Sequence, residues 1–325
     1  MLNFMNIYYL ALMLLILQQQ TTPKEDNYMS LVINHNMMAM NAARNLGESY
    51  GRLSNSVRRL SSGLRIGTAA DDAAGLAIRE LMRAEIAGLN QGIRNANDAI
   101  SLLQVADGAL QVIDEKLIRL KELAEQAATG TYNSDQRLMI ESEYQAMASE
   151  ITRIANGTDF SGVHLLNGNL SGPDHNGSGL QSTGKLKIHF GTGNDSAEDY
   201  YYITIGNATA SALGIGNQAN SSMGGYTVST QQAAQNAVAS INAAIISKDK
   251  IRAHLGAMQN RLENTISVQQ IQAENMQAAE SRISDVDVAI EMTEFVRNQV
   301  LTQAAVAMLA QANSLPQMAL QLIGG

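Results

Sequence analysis

The chain of 325 residues has no cysteine and no tryptophan, only three prolines, and aromatic residues amount to 4% of it. Without cysteine there is no disulfide, no thiolate metal site and no thiol nucleophile, so stability has to come from packing and from neighbouring subunits. The prolines stand at Pro23, Pro173 and Pro316, which leaves two long stretches with nothing that forces a helix to break. A basic excess is missing too. The net charge is −8, whereas a nucleic-acid binder would leave a basic footprint. The longest apolar run, Ile7 to Leu17, is too short to span a bilayer comfortably, so no membrane partner is expected. Finally, the five histidines (His35, His164, His175, His189, His254) are scattered singly and no His-Glu-x-x-His motif occurs, so neither a metal, a cofactor nor a catalytic site is expected.

What remains is a helix-forming composition: 45% hydrophobic residues, mostly Ala, Leu, Ile and Val, with 16 Met. From Leu46 the apolar residues run Leu46, Tyr50, Leu53, Val57, Leu60, Leu64, the 4-3 spacing of a heptad seam. A second run extends from Leu89 through Leu103, Leu110, Ile113, Leu117 and Leu120 to Ala127. Ile140, Tyr144, Met147, Ile151 and Ile154 share one face of a third helix, for which Asn156-Gly157 predicts a C-terminal cap. The texture changes after Gly157, because 14 of the 26 glycines fall between Gly157 and Gly225. Within this turn-rich centre Lys185 to Phe190 and Tyr200 to Ile205 predict short strands. Helical spacing resumes near Thr230 and is expected to run on through Ile283, Val286 and Ile290 almost to the C-terminus. Residues 30–70 carry Arg44, Arg52, Arg58, Arg59 and Arg65 against Glu48. Residues 282–325 carry Asp285, Asp287, Glu291 and Glu294 against Arg282 and Arg297, so the two ends are electrically complementary.

Several motifs resemble those of the bacterial flagellins, in that family's order. They are Ser30-Leu31-Val32-Ile33-Asn34, Arg59-Leu60-Ser61-Ser62-Gly63-Leu64-Arg65-Ile66, Asp71-Asp72-Ala73-Ala74-Gly75, Arg94-Asn95-Ala96-Asn97-Asp98, and Leu309-Ala310-Gln311-Ala312-Asn313 with Pro316-Gln317. The resemblance implies a mainly α fold, an elongated helical rod with coiled-coil termini paired together and a small central β-rich insert. Residues 29–70 plus 282–325 would form the terminal coiled-coil polymerisation domain and 71–170 plus 230–281 the helical rod. Residues 171–229 would be a short variable insert, and 1–28 an extension absent from the mature protein. The expected role is that of a secreted, non-enzymatic subunit polymerising into the extracellular flagellar filament. Polymerisation would rest on Leu46, Leu53, Val57, Leu60, Leu64, Ile283, Val286, Ile290, Met308, Leu309 and Leu315. The alternative within the same superfamily is a hook-filament junction protein. By resemblance the partners are other copies of the chain, an export chaperone, and cap and hook-associated proteins. The stretch Arg119 to Gln126 also resembles the one through which flagellins engage Toll-like receptor 5, which places contacts on Arg119, Leu123 and Glu143.

Overall fold

The computed structural model describes residues 35–172, 184–196, 198–215 and 226–323, so the extension expected over 1–28 lies outside the described residues. In chain order the elements are helix α1 (Met37–Ser62), α2 (Ala73–Ala128), α3 (Ser134–Gly157) and two-residue strands β1 (Asp159–Phe160) and β2 (Val163–His164). Strands β3 (Leu186–His189) and β4 (Tyr200–Ile203) follow, then α4 (Gln231–Ser284) and α5 (Val288–Ile323). The chain is thus mainly helical with a small antiparallel β insert, as the sequence leads one to expect. It divides into two compact units, one made of the chain up to Arg65 with the chain from Val286, the other of Ile66–Asp285.

Local chemistry sets the helix ends. Gly63 takes the left-handed conformation (φ 72°) that a side chain would resist, and its N–H donates to Arg59 O at 2.8 Å, closing α1. Asp72 caps α2 by accepting from Gly75 N at 2.9 Å. Asp71 instead ties the connector, its Oδ2 accepting from the Thr68 N–H and hydroxyl, each at 3.0 Å. Asn133 and Gln136 form a reciprocal capping box on α3. The cap predicted at Asn156-Gly157 is not formed there. Gly157 ends the helix in line, and the next residue, Thr158, donates its N–H and its hydroxyl to Ile154 O. The continuous helix expected through Ile283, Val286 and Ile290 is also broken. α4 stops at Ser284, and Asp287 caps a new helix by accepting from Ala289 N and Ile290 N.

Within the larger unit α2 packs along α4 and α3. At 56 residues α2 is about 84 Å long, and it begins well before the apolar run that announced it. Leu103, Leu110, Ile113, Leu117 and Leu120 of α2 are buried against Ile140, Tyr144 and Ile151 of α3 and Ile241, Leu255 and Leu262 of α4. The α2–α4 seam also holds charge. Lys248 is only 2% exposed and donates to Asp114 at 2.5 Å and Asp249 at 2.7 Å, while Arg252 grips Asp107 at 2.7 Å. Burial opposes the charge on Lys248, but its bonds to Asp114 and Asp249 outweigh this and raise its pKa. The Arg252 hydrogen bond holds the Asp107 carboxyl below its usual range against the opposing effect of burial.

The β3–β4 hairpin pairs Leu186 with Ile203 through to His189 with Tyr200, a register the sequence did not reveal. It is seated on both long helices. Asn95 of α2 donates to His189 O at 2.8 Å, and Gln269 of α4 donates to Phe190 O at 2.7 Å. Phe190 approaches α2 so closely that a Cβ on Gly92 would lie 1.8 Å from its carbonyl oxygen, which makes glycine necessary there.

Candidate polymerisation surface

The smaller unit is a pair of helices. Asn36, just before α1, meets Ala312 of α5, and Gly63, just after α1, accepts from Val286 N, so the two run antiparallel. The residues buried between them are polar or small: Ser49 and Ser56 of α1, and Glu291, Asn298, Thr302 and Ala312 of α5. Ser49 and Ser56 are seven apart, as are Glu291 and Asn298, so the covered stripe is a true heptad seam. It is not, however, the seam that the apolar spacing predicts. Leu46, Leu53 and Leu60 flank the serines and are half-buried, whereas Tyr50 and Val57 are 61% and 49% exposed. Leu64 is half-buried but lies beyond the end of α1.

The apolar residues of α5 are mostly uncovered. Ile290 is 65% exposed and Met308 61%, while Leu309 and Leu315 are half-buried, as is Val286 just before the helix. Val288, Met292, Val296, Val300, Leu301 and Val306 are exposed as well, and with about 100° between successive residues they occupy every side of α5 except the seam. Among the described residues, fourteen of the twenty-five exposed large hydrophobic side chains belong to this helix pair, although it is much the smaller unit. A groove of about 510 Å³ runs between the helices, with Met38, Ala42, Leu301 and Met308 among its lining residues. Ile283 belongs to the last turn of α4, in the larger unit.

Of the charge complementarity expected between the ends, the structure shows Glu291 of α5 lying 3.7 Å from Arg59 of α1. Glu294 bonds Arg297 on its own helix, Asp287 caps α5, and Asp285 accepts from Ser281 Oγ at 2.6 Å. Asp285 and Asp287 therefore serve a local turn and a helix end, and Glu294 its own helix.

The three residues expected to meet a receptor are divided by the fold. Arg119 of α2 is exposed, its Nη2 and Nε donating to Glu143 Oε1 of α3 at 2.7 and 3.0 Å and its Nη1 to Glu122 at 2.9 Å. The Glu143 and Glu122 hydrogen bonds raise the guanidinium pKa further. Leu123, by contrast, is 1% exposed within the cluster formed by Leu120, Ala124 and Ala127, so no partner reaches it while the unit is folded.

Sequence reasoning missed the buried Lys248 and the side chain of Arg79, which is 7% exposed and donates to Ile66 O at 2.6 Å. Neither position is marked in the sequence, because each interrupts an apolar face without a motif around it. Among the described residues no group of three or more metal-ligating side chains comes together, and no helix is long and apolar enough to cross a membrane.

Long paired helices with a small β insert and a terminal pair whose apolar sides are uncovered place the chain in the class of helical structural subunits. Residues 33–171 match the bacterial flagellin N-terminal helical region and residues 238–323 the bacterial flagellin C-terminal helical region. The chain is 41% identical to flagellin FlaB2 of Treponema pallidum (strain Nichols) over 293 residues, covering 90% of this chain and all of that one. It is 40% identical, with the same coverage, to the flagellin of Halalkalibacterium halodurans. The crystal structure of Bacillus cereus flagellin aligns with 57% of this chain and 94% of its own at 28% identity and a TM-score of 0.42. The chain belongs to the bacterial flagellins, the subunits of the flagellar filament.

Proposed function

We propose that the uncovered faces of α1 and α5 are the surfaces through which copies of this chain polymerise. The observation that carries this is the inverted burial of the terminal pair, polar residues inside and Tyr50, Val57, Ile290, Val300 and Met308 outside. Fully burying one such side chain gives about 1.5–3 kcal/mol, whereas ordering each backbone residue costs about 1–2 kcal/mol. A pair whose own seam is serine, asparagine and threonine cannot offset that cost alone, and neighbouring copies supply the missing apolar partners. The residues engaged are Leu46, Leu53, Val57, Leu60, Val286, Ile290, Met308, Leu309 and Leu315, with Leu64 and Ile283 at the margins. The role is structural rather than enzymatic. Deleting residues 306–325 removes Met308, Leu309, Leu315 and Met318 and should abolish growth on sheared filament seeds, while circular dichroism still shows a folded helical unit. Normal filament growth by the truncated protein would refute the assignment.

The same apolar faces would be open in the unassembled subunit, which is what an export chaperone or a cap or hook-associated protein could cover. For Toll-like receptor 5, the exposed Arg119–Glu143 pair, bridging α2 and α3, is the surface that favours contact. Leu123 would then act from beneath, by holding the two helices together.

A further inference from the structure

A proline inside a helix removes the N–H that would serve the carbonyl four residues back, and its ring pushes against that same carbonyl. Pro316 lies inside α5, so the carbonyl left without its helical donor is that of Ala312. Ala312 is only 6% exposed, so solvent offers little relief, and a buried acceptor without a partner is destabilising. The donor comes from 276 residues away: Asn36 Nδ2 lies 2.7 Å from Ala312 O. The other end of the same amide is also engaged, Asn36 Oδ1 accepting from Ala39 N at 3.0 Å as the N-cap of α1. With an N–H at one end and a carbonyl at the other, the amide has one orientation that satisfies both.

We propose that Asn36 is a positioning residue for assembly: a two-ended latch that ties the first turn of α1 to the proline turn of α5 and so fixes the register of the terminal pair. The chemistry is specific to a carboxamide. Aspartate and serine both cap helices well, but aspartate has no donor and serine is too short to reach Ala312 from the cap position. Register matters here because the apolar rows of α1 and α5 have to meet neighbouring copies at a common height. A pair free to slide by one turn would present Val57 and Ile290 at mismatched levels. The inference therefore rests on the polymerisation reading given above.

The test is a double-mutant cycle on the full chain, read as the critical concentration for growth on seeds. Asn36→Asp and Asn36→Ser keep the cap and remove the bond to Ala312, and each should raise the critical concentration about tenfold, the effect of losing one part-buried hydrogen bond and leaving the Ala312 carbonyl without a donor. Pro316→Ala restores an N–H to Ala312 O within α5. In that background the same Asn36 substitutions should change the critical concentration by less than about twofold. A purely structural role for the cap predicts equal effects in both backgrounds, and that outcome, or no effect in either, would overturn the proposal. Should Pro316→Ala itself prevent growth, magic-angle-spinning NMR of labelled wild-type filaments decides: an Asn36 Nδ2 to Ala312 carbonyl contact supports the latch, and its absence overturns it. Wild-type protein that fails to grow on seeds would sink the assembly reading, whereas wild-type growth with no effect of the Asn36 substitutions in either background would overturn the latch alone.

Discussion

Two positions four residues apart on one helix, Arg119 and Leu123, do opposite work. Spacing alone put them on a shared face, yet the guanidinium reaches outward to Glu143 and the leucine is buried in the core. The two positions subtend about 40° on a helix, enough to separate the edge of a buried stripe from its middle. Leu123→Ala should therefore lower the unfolding free energy by about 2–5 kcal/mol, as expected for truncating a fully buried leucine. Arg119→Ala should leave unfolding nearly unchanged and, on the receptor contact proposed above, weaken binding to the receptor ectodomain by about fivefold or more. Denaturant titration beside surface-binding measurements separates the two. Equal destabilisation by both substitutions would show that the Arg119–Glu143 pair is structural. Nothing in the sequence could have ranked these residues, because an apolar residue beside an apolar seam is consistent with either side of it.

At the scale of elements, legibility followed the strength of a single-phase pattern. α2 was readable over Leu89 to Ala127 because its apolar positions form one stripe, and that stripe is the one that α3 and α4 cover. α1 was misread in phase. Its leucines alternate with Tyr50 and Val57, and apolar spacing cannot say that Ser49 and Ser56, small enough to let helices approach, make the contact. α5 is apolar all round, so periodicity carries no direction there, and the break after Ser284 went unseen because Ile283 and Ile290 keep helical spacing across it. The capping aspartate at 287 was the available signal. The two central strands were legible from their alternation, but their seating on the helices was not, since it depends on Asn95, Gln269 and the absence of a side chain at Gly92. Gly92→Ala should thus displace the hairpin from α2: a Cβ 1.8 Å from Phe190 O leaves the strand no choice but to move. Fluorescence of a label near Tyr200 and a destabilisation of about 1–3 kcal/mol would report it. An unchanged stability and spectrum would mean the hairpin seat is soft.

For the molecule as a whole, the two units differ in what their stability depends on. The unit of α2, α3 and α4 has a continuous apolar core and the Lys248–Asp114 contact, so the contacts that hold it lie within one chain. Among the described residues of the α1–α5 pair, Ala312 is the apolar residue in the buried set, Leu46, Leu53, Leu60, Leu309 and Leu315 are half-buried, and side chains such as Tyr50, Val57, Ile290 and Met308 face outward. Stability that arises only when a second copy binds is linked to concentration, and local opening free energies in the free chain should reflect this. Hydrogen exchange on the dilute full chain should find amides of α2 and α4 slow to exchange and those of α1 and α5 nearly unprotected. After polymerisation the amides of α1 and α5 should slow by about a hundredfold or more, equivalent to roughly 3 kcal/mol per opening event. Those of α2 and α4 should change much less, because their protecting contacts already exist within one chain. The sign of the difference is what matters. Protection of α1 and α5 in the dilute chain equal to that of α2 would show that the polar seam is self-sufficient, and the outward apolar rows would then need another explanation than the order in which this subunit folds and assembles.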